Sequence, residues 1–137
     1  MRILVVGAGP VGLMFCAKLS SYGHQCVLIE KNPIHHTLSR ASSLQPASLE
    51  CLAGFGFLPR LMAHGQRIDA LMSWDLDHGQ KQSCSYELIR DLTLYPFRLH
   101  VNQSFLRDEL IHYLRSSSSC TILDQTLVAS VVSNSPD

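Results

Sequence analysis

Neither sign of charge is in excess: 11 Lys and Arg stand against 11 Asp and Glu in 137 residues, a formal net charge of +0. That balance argues against a nucleic-acid partner, which needs a basic surplus to displace counterions from phosphates. No block of like charge forms an acidic tail or a basic arm. No apolar run is long enough for a membrane span. The apolar stretch that runs from Arg2 to Ala17 is broken by Gly7, Gly9, Pro10 and Gly12, whereas a secretory signal keeps a smooth apolar helix. The expectation is therefore a soluble, cytoplasmic protein. Cysteine is sparse and odd in number: Cys16, Cys26, Cys51, Cys84 and Cys120 are scattered, with no C-x-x-C. A disulfide framework is not expected, and the thiols read as free. The seven histidines form no i, i+4 pair and no Cys/His cluster, so no metal site is expected from spacing. The serine run 116–119 lies in no G-x-S-x-G frame, which leaves it without the features of a nucleophile.

What is present is apolar content, 46% of the chain, enough for one real core and too short for two complete domains. Ile3-Leu4-Val5-Val6 is a continuous aliphatic run of the kind found in the middle of a parallel sheet. The turn Gly7-Ala8-Gly9-Pro10-Val11-Gly12 follows at once, and a helical pattern runs from Val11 to a stop at Gly23. Cys26-Val27-Leu28-Ile29 then reads as a second buried strand, ending at Glu30. Strand, glycine turn, helix and strand in about thirty residues make a βαβ unit.

Each residue of that turn has a physical task. Gly7 permits the tight exit from the strand. Gly9 lets a pyrophosphate approach the backbone, and Gly12 lets the helix pack close to the sheet. The helix N-terminus offers N–H groups and a positive dipole end to the phosphates. Glu30, separated from Gly12 by seventeen residues, is placed to accept hydrogen bonds from ribose hydroxyls and would repel a 2′-phosphate. The unit therefore favours FAD or NAD over NADP. By itself it does not choose between them.

Three stretches carry a resemblance. The run from Gly7 to Leu13 with Glu30-Lys31 looks like the start of FAD-dependent aromatic-ring hydroxylases, the flavoprotein monooxygenases that include para-hydroxybenzoate and phenol hydroxylases. Arg40-Ala41-Ser42-Ser43-Leu44-Gln45-Pro46, running on to Gly54-Phe55-Gly56, is similar to that family's arginine loop and following helix. His100-Val101-Asn102-Gln103, leading into Phe105-Leu106 and Leu110, resembles its glutamine-bearing helix start. The resemblance covers essentially the whole chain in the family's order. It implies FAD as cofactor, with contacts at Gly7, Ala8, Gly9, Pro10, Val11, Gly12, Glu30, Lys31, Arg40 and Gln103. Arg40 brings a planar fork of donors for phosphate or ribityl oxygens, and Gln103 a donor and an acceptor. No catalytic residue is assigned. One position departs from the pattern: Arg107 stands where the family often has an acid.

The fold class expected is α/β, a Rossmann-like parallel sheet with the βαβ dinucleotide-binding unit and a small antiparallel hairpin insertion. Residues 1–137 would be the N-terminal part of an FAD-binding domain. About 66–98 would be a hairpin insertion that begins the substrate-covering sheet, its strands at Ile68–Leu76 and Ser83–Leu88 around the turn Asp77-His78-Gly79. Short helices are expected from Pro46 to about Gly54 and from Arg60 to Gly65, and an amphipathic helix from about Asn102 to Leu114. Thr121–Asp124 reads as a further parallel strand, Leu127–Val132 as a last strand, and 133–137 as a polar tail. Trp74, Tyr86, Tyr95 and Phe97 are candidate pocket aromatics, with ordinary core or sheet packing as the plainer reading.

The fold is expected to be incomplete relative to the family, whose later Asp-Gly and Gly-Asp segments find no counterpart; no Gly-Asp pair occurs. Three functions stay open. The first is the FAD-binding N-terminal portion of a monooxygenase that hydroxylates phenol-like substrates with NAD(P)H and O2, without a complete active site of its own. The second is a non-catalytic nucleotide-binding module or remnant. The third, a small NAD-dependent oxidoreductase, ranks last for want of a Tyr-x-x-x-Lys pair.

Overall fold

Strand, turn and helix follow one another within the first dozen residues. The computed structural model describes residues 2–34, 41–77, 79 and 81–132. In chain order the elements are β1 (Arg2–Val6), α1 (Pro10–Ser21), β2 (Gln25–Ile29), β3 (Ala41–Leu44), α2 (Pro46–Ala53), α3 (Leu58–His64), β4 (Gln66–Ile68), β5 (Ala70–Trp74), β6 (Lys81–Ser85), a 3-10 turn (Tyr86–Ile89), β7 (Arg98–Asn102), α4 (Gln103–Ser116) and β8 (Cys120–Leu123). They fall into two compact units, residues 1–38 with 107–137, and residues 39–106.

The first unit is the βαβ fold. β1 pairs with β2 and β2 with β8, all parallel, in the order β1-β2-β8. α1 begins at Pro10 because extended Gly9 (φ −69, ψ 170) puts proline in the first turn, where its missing N–H costs nothing. The helix stops at Tyr22, with Gly23 in the left-handed region at φ +76. Leu13, Cys16 and Ala17 of α1 are buried, as are Cys26 and Leu28 of β2 and Leu110, Ile111 and Leu114 of α4. Arg107, the position that departs from the family pattern, is also buried, and its guanidinium donates to the carbonyl of Ile34. A buried guanidinium here ties the loop after β2 to α4.

The second unit is antiparallel. β7 lies between β3 and β4, with Leu99 opposite Leu44 on one side and Arg67 on the other. Leu49 and Leu52 of α2 and Leu58 and Leu61 of α3 are buried with Phe57, Leu99 and Val101. β5 and β6 pair antiparallel from Ala70–Ser85 to Trp74–Lys81. The candidate aromatics divide by role. Phe97 is core, with Tyr95 edge-on at 6.2 Å and the Arg67 guanidinium 4.3 Å above it. Tyr86 donates to Gln45 Oε1 at 2.8 Å, while Trp74 is exposed on β5 beneath Lys81.

Four expectations change. β1 is an edge of its sheet among the described residues, and Leu4 and Val6 are 54% and 62% exposed, because α1 covers one face only. Leu127–Val132 is not a strand: after Gln125 (φ +51) no neighbouring strand among the described residues offers a ladder, and Leu127, Val131 and Val132 stay exposed. The second hairpin strand is short, since Ser85 accepts from the Glu87 N–H and turns the chain into the 3-10 turn. β3, β4 and β7 had not been foreseen, and Ile68, expected in the hairpin, pairs with Arg98 of β7 instead. His78, the tail 133–137 and Arg40 lie outside the described residues.

Candidate functional site

The carboxyl ends of β1 and β2 carry the glycine turn and Glu30. In open α/β sheets this is the end where ligands bind. Gly7, at φ +103, turns the chain out of β1 while its N–H donates to the Ile29 carbonyl at 2.7 Å. Gly9 has nothing within 4 Å of the place a Cβ would occupy, so the backbone there is open to a ligand. Gly12 is the opposite case: a Cβ would collide with the Gly7 carbonyl oxygen and touch Val5 at 3.6 Å. Its task is close packing of α1 on β1. The first turn of α1 holds no acidic side chain of its own, and its positive end favours an anion.

Glu30 is held rather than merely solvated. Its Oε2 accepts from the Ala8 N–H at 2.8 Å, and its Oε1 accepts from the Asn32 N–H at 2.9 Å and Asn32 Nδ2 at 3.1 Å. The backbone is fixed as well: the Glu30 N–H donates to the Leu123 carbonyl, and the Thr126 N–H donates to the Glu30 carbonyl, both at 2.9 Å. At least three donors therefore engage a carboxylate that has about four lone-pair sites, and a diol would bind it by exchanging with one of them. Beside it lies a cavity of about 280 Å³, bounded by Val6 and Gly7, by Ile29 to Lys31, and by Thr126 to Val128. That size is near the low end for ligand pockets, about 300–1,000 Å³. It suits one end of a dinucleotide and not the whole.

The remaining candidates stand as follows. Ala8 is buried, Pro10 half-buried, and Val11 and Lys31 exposed. Gln103 is half-buried at the first position of α4. The local capping there is done by Asn102, whose Oδ1 accepts from both the N–H and the Oγ of Ser104 at 2.9 Å. Gln103 belongs to the unit 39–106 and the glycine turn to the other.

The family described as "FAD binding domain" matches residues 1–135. The chain belongs to this family. As an FAD-binding domain, it has FAD as its cofactor, and the residues at the turn fit that group: an open backbone at Gly9, a helix N-terminus without an acidic residue in its first turn and a fixed carboxylate. Among curated relatives, the para-nitrophenol 4-monooxygenase of Pseudomonas sp. (strain WBC-3) is 29% identical over 118 residues, 82% of this chain and 28% of that protein. The pentachlorophenol 4-monooxygenase of Sphingobium chlorophenolicum is 31% identical over 65 residues, 47% and 12%. Among solved structures, the p-nitrophenol 4-monooxygenase from Pseudomonas putida DLL-E4 superposes with a TM-score of 0.77 at 23% identity, covering 90% of this chain and 31% of that one. The flavin-dependent monooxygenase PieE, in complex with FAD and substrate, gives 0.72 at 20% identity, covering 91% and 24%. The chain thus spans about a third or less of the proteins it matches.

One assembly escaped the sequence reading. Cys16, Cys26 and Cys120 bring their sulfurs within 4.8 Å of one another. Hydrogen bonding to Cys120 and burial push the Cys16 thiol up, and burial pushes Cys26 up to about 11. Cys120, which receives the hydrogen bond from Cys16, is lowered to about 7. Spacing could not reveal the cluster, because it depends on the register that sets Cys26 beside Cys120.

Proposed function

We propose that this FAD-binding domain is the N-terminal, adenosine-holding portion of a flavoprotein monooxygenase that hydroxylates phenol-like aromatic substrates using NAD(P)H and O2. The observation that carries the reading is the Gly9–Glu30 arrangement within a family match spanning 1–135. In this reading the backbone from Gly7 to Gly12 receives the pyrophosphate at the N-terminus of α1, and Glu30 accepts from the ribose hydroxyls. Lys31 lines the cavity beside Glu30, and Arg40 and Gln103 are the residues that the family resemblance assigns to the phosphate or ribityl oxygens. Bound FAD supplies the redox and oxygen chemistry. The chain's own residues bind and orient its adenosine end, and no residue here is assigned a proton-transfer step.

The names of relatives that act on p-nitrophenol and pentachlorophenol support the phenol-like substrate class. The β5–β6 hairpin, within the insertion at about 66–98, is read as the start of the sheet that covers the substrate. No helix among the described residues is long and apolar enough to cross a membrane, and a cytoplasmic site of action agrees with the free thiols. The test is a titration of the purified chain with FAD and, separately, with NADH, followed by ligand fluorescence and thermal stability. Saturable FAD binding without NADH binding is expected. NADH binding alone would overturn the reading, and binding of neither by a folded chain would favour a non-catalytic remnant.

A further inference from the structure

The three clustered thiols come from three elements: Cys16 from α1, Cys26 from β2 and Cys120 from β8. Cys26 and Cys120 are direct partners in the parallel register, and Cys16 lies over them on the helix that covers this face. The sulfurs all lie within 4.8 Å of one another, and no His, Asp or Glu among the described residues joins the group. Cys16 and Cys26 are 0% and 3% exposed, while Cys120 is half-buried and gives a path inward. The group sits at the amino ends of β2 and β8. Glu30 lies four residues further along β2, roughly 13 Å away at 3.3 Å per residue, so the thiols belong to the opposite end of the sheet from the FAD site.

We infer that Cys16, Cys26 and Cys120 form a three-thiolate site for a trivalent thiophilic centre, with trivalent arsenic as the ligand class. Bonds of about 2.3 Å, the length of a zinc–thiolate bond, place three sulfurs about 4.0 Å apart around a planar centre and closer around a pyramidal one. From a spread within 4.8 Å, that requires side-chain movements of less than about an ångström and no change of strand register. Softness selects for ions such as Cu(I), Zn(II) and other sulfur-seeking centres. Charge then discriminates among them. Three thiolates around Cu(I) carry two net negative charges and around Zn(II) one, and unpaired charge is costly where two of three ligands are fully buried. Zn(II) in addition prefers a fourth ligand. A trivalent centre is neutral with three thiolates and complete with three bonds. The chemistry balances without oxidant or reductant. As(OH)3 loses three hydroxyls, three As–O bonds break and three As–S bonds form, and each thiol proton leaves with a hydroxide as water.

The test uses the full chain carrying Cys51→Ser and Cys84→Ser, both positions exposed, so that only the three clustered thiols remain. Arsenite is titrated under reducing, metal-free conditions while near-ultraviolet As–S absorbance and thiols accessible to a disulfide reagent are followed. Zn(II) and Cu(I) are titrated in parallel. The expected result is saturation at one equivalent with all three thiols protected, a raised Tm, and binding at least a hundredfold weaker in Cys120→Ser. FAD affinity should be the same with and without arsenite. Protection of only two thiols, undiminished binding in Cys120→Ser, or binding of Zn(II) or Cu(I) without arsenite would each overturn the assignment. The thiol count in the chain with its cluster intact reports even if Cys120→Ser does not fold.

Discussion

A methyl group added at Gly12 would collide with the Gly7 carbonyl oxygen, whereas one added at Gly9 would meet nothing within 4 Å. The two glycines of one turn therefore separate fold from function. Gly9→Val should leave the thermal transition of the ligand-free chain unchanged and abolish FAD binding, because only the approach of the pyrophosphate is blocked. Gly12→Ala should lower stability by about 1–3 kcal/mol, the usual cost of overpacking, measured by denaturant unfolding without ligand. A Gly9→Val chain that binds FAD normally would remove the turn from the site. Glu30 needs a different pair of variants, since it also satisfies the N–H of buried Ala8. Glu30→Ala should lower both stability and FAD affinity. Glu30→Gln can keep the Ala8 bond but gives up the two bonds from exposed Asn32, so it should lose less stability than Glu30→Ala while FAD affinity falls about ten- to a hundredfold, the worth of a hydrogen bond to a charged group. Fluorescence titration of the two variants beside their unfolding curves checks this.

At the scale of elements, β1, α1, β2 and α4 were legible in the sequence because their signals are local: a β-branched run, a glycine–proline start, a glycine stop, an apolar stripe. β8 was legible for the same reason. β7 carried a legible alternation, with Leu99 and Val101 buried between exposed His100 and Asn102, but the resemblance at His100–Gln103 drew attention to the helix that follows. Leu127–Val132 has strand composition and no ladder partner among the described residues, and pairing is a property of neighbours that composition does not contain. At the site, Glu30 and the glycine turn were legible. The thiol cluster was not, since it is made by sheet register. The turn from α3 into β4 offers a test of close packing in the second unit. A Cβ at Gly65 would stand 2.7 Å from Leu99 Cδ1 and 3.0 Å from the His100 carbonyl oxygen. Leu99 is buried at 1% exposure and cannot swing into solvent. Gly65→Ala should destabilise by about 1–3 kcal/mol, whereas Gly54→Ala, with nothing within 4 Å, should be nearly neutral in the same unfolding assay.

Over the whole chain, apolar surface is distributed unevenly. On the side of the parallel sheet away from α1, Leu4 stands opposite Val27 and Val6 opposite Ile29, and across β2 Val27 stands opposite Thr121 and Ile29 opposite Leu123. Leu4, Val6 and Leu123 are 54%, 62% and 41% exposed, and β1 is an edge strand among the described residues. An apolar face beside an unpaired edge is a surface prone to association. Burial supplies stability, and these side chains are not buried here, so the face governs solubility and not folding. The triple variant Leu4→Thr, Val6→Thr, Leu123→Thr should therefore reduce binding of a hydrophobic dye and concentration-dependent light scattering. Its unfolding free energy should shift by no more than about 0.5 kcal/mol per site, the range for surface substitutions. FAD affinity should change little, because Gly9 and Glu30 keep their partners. A collapse of stability in the triple variant would mean that the face is packed in solution, and would point to a copy or segment that covers it there.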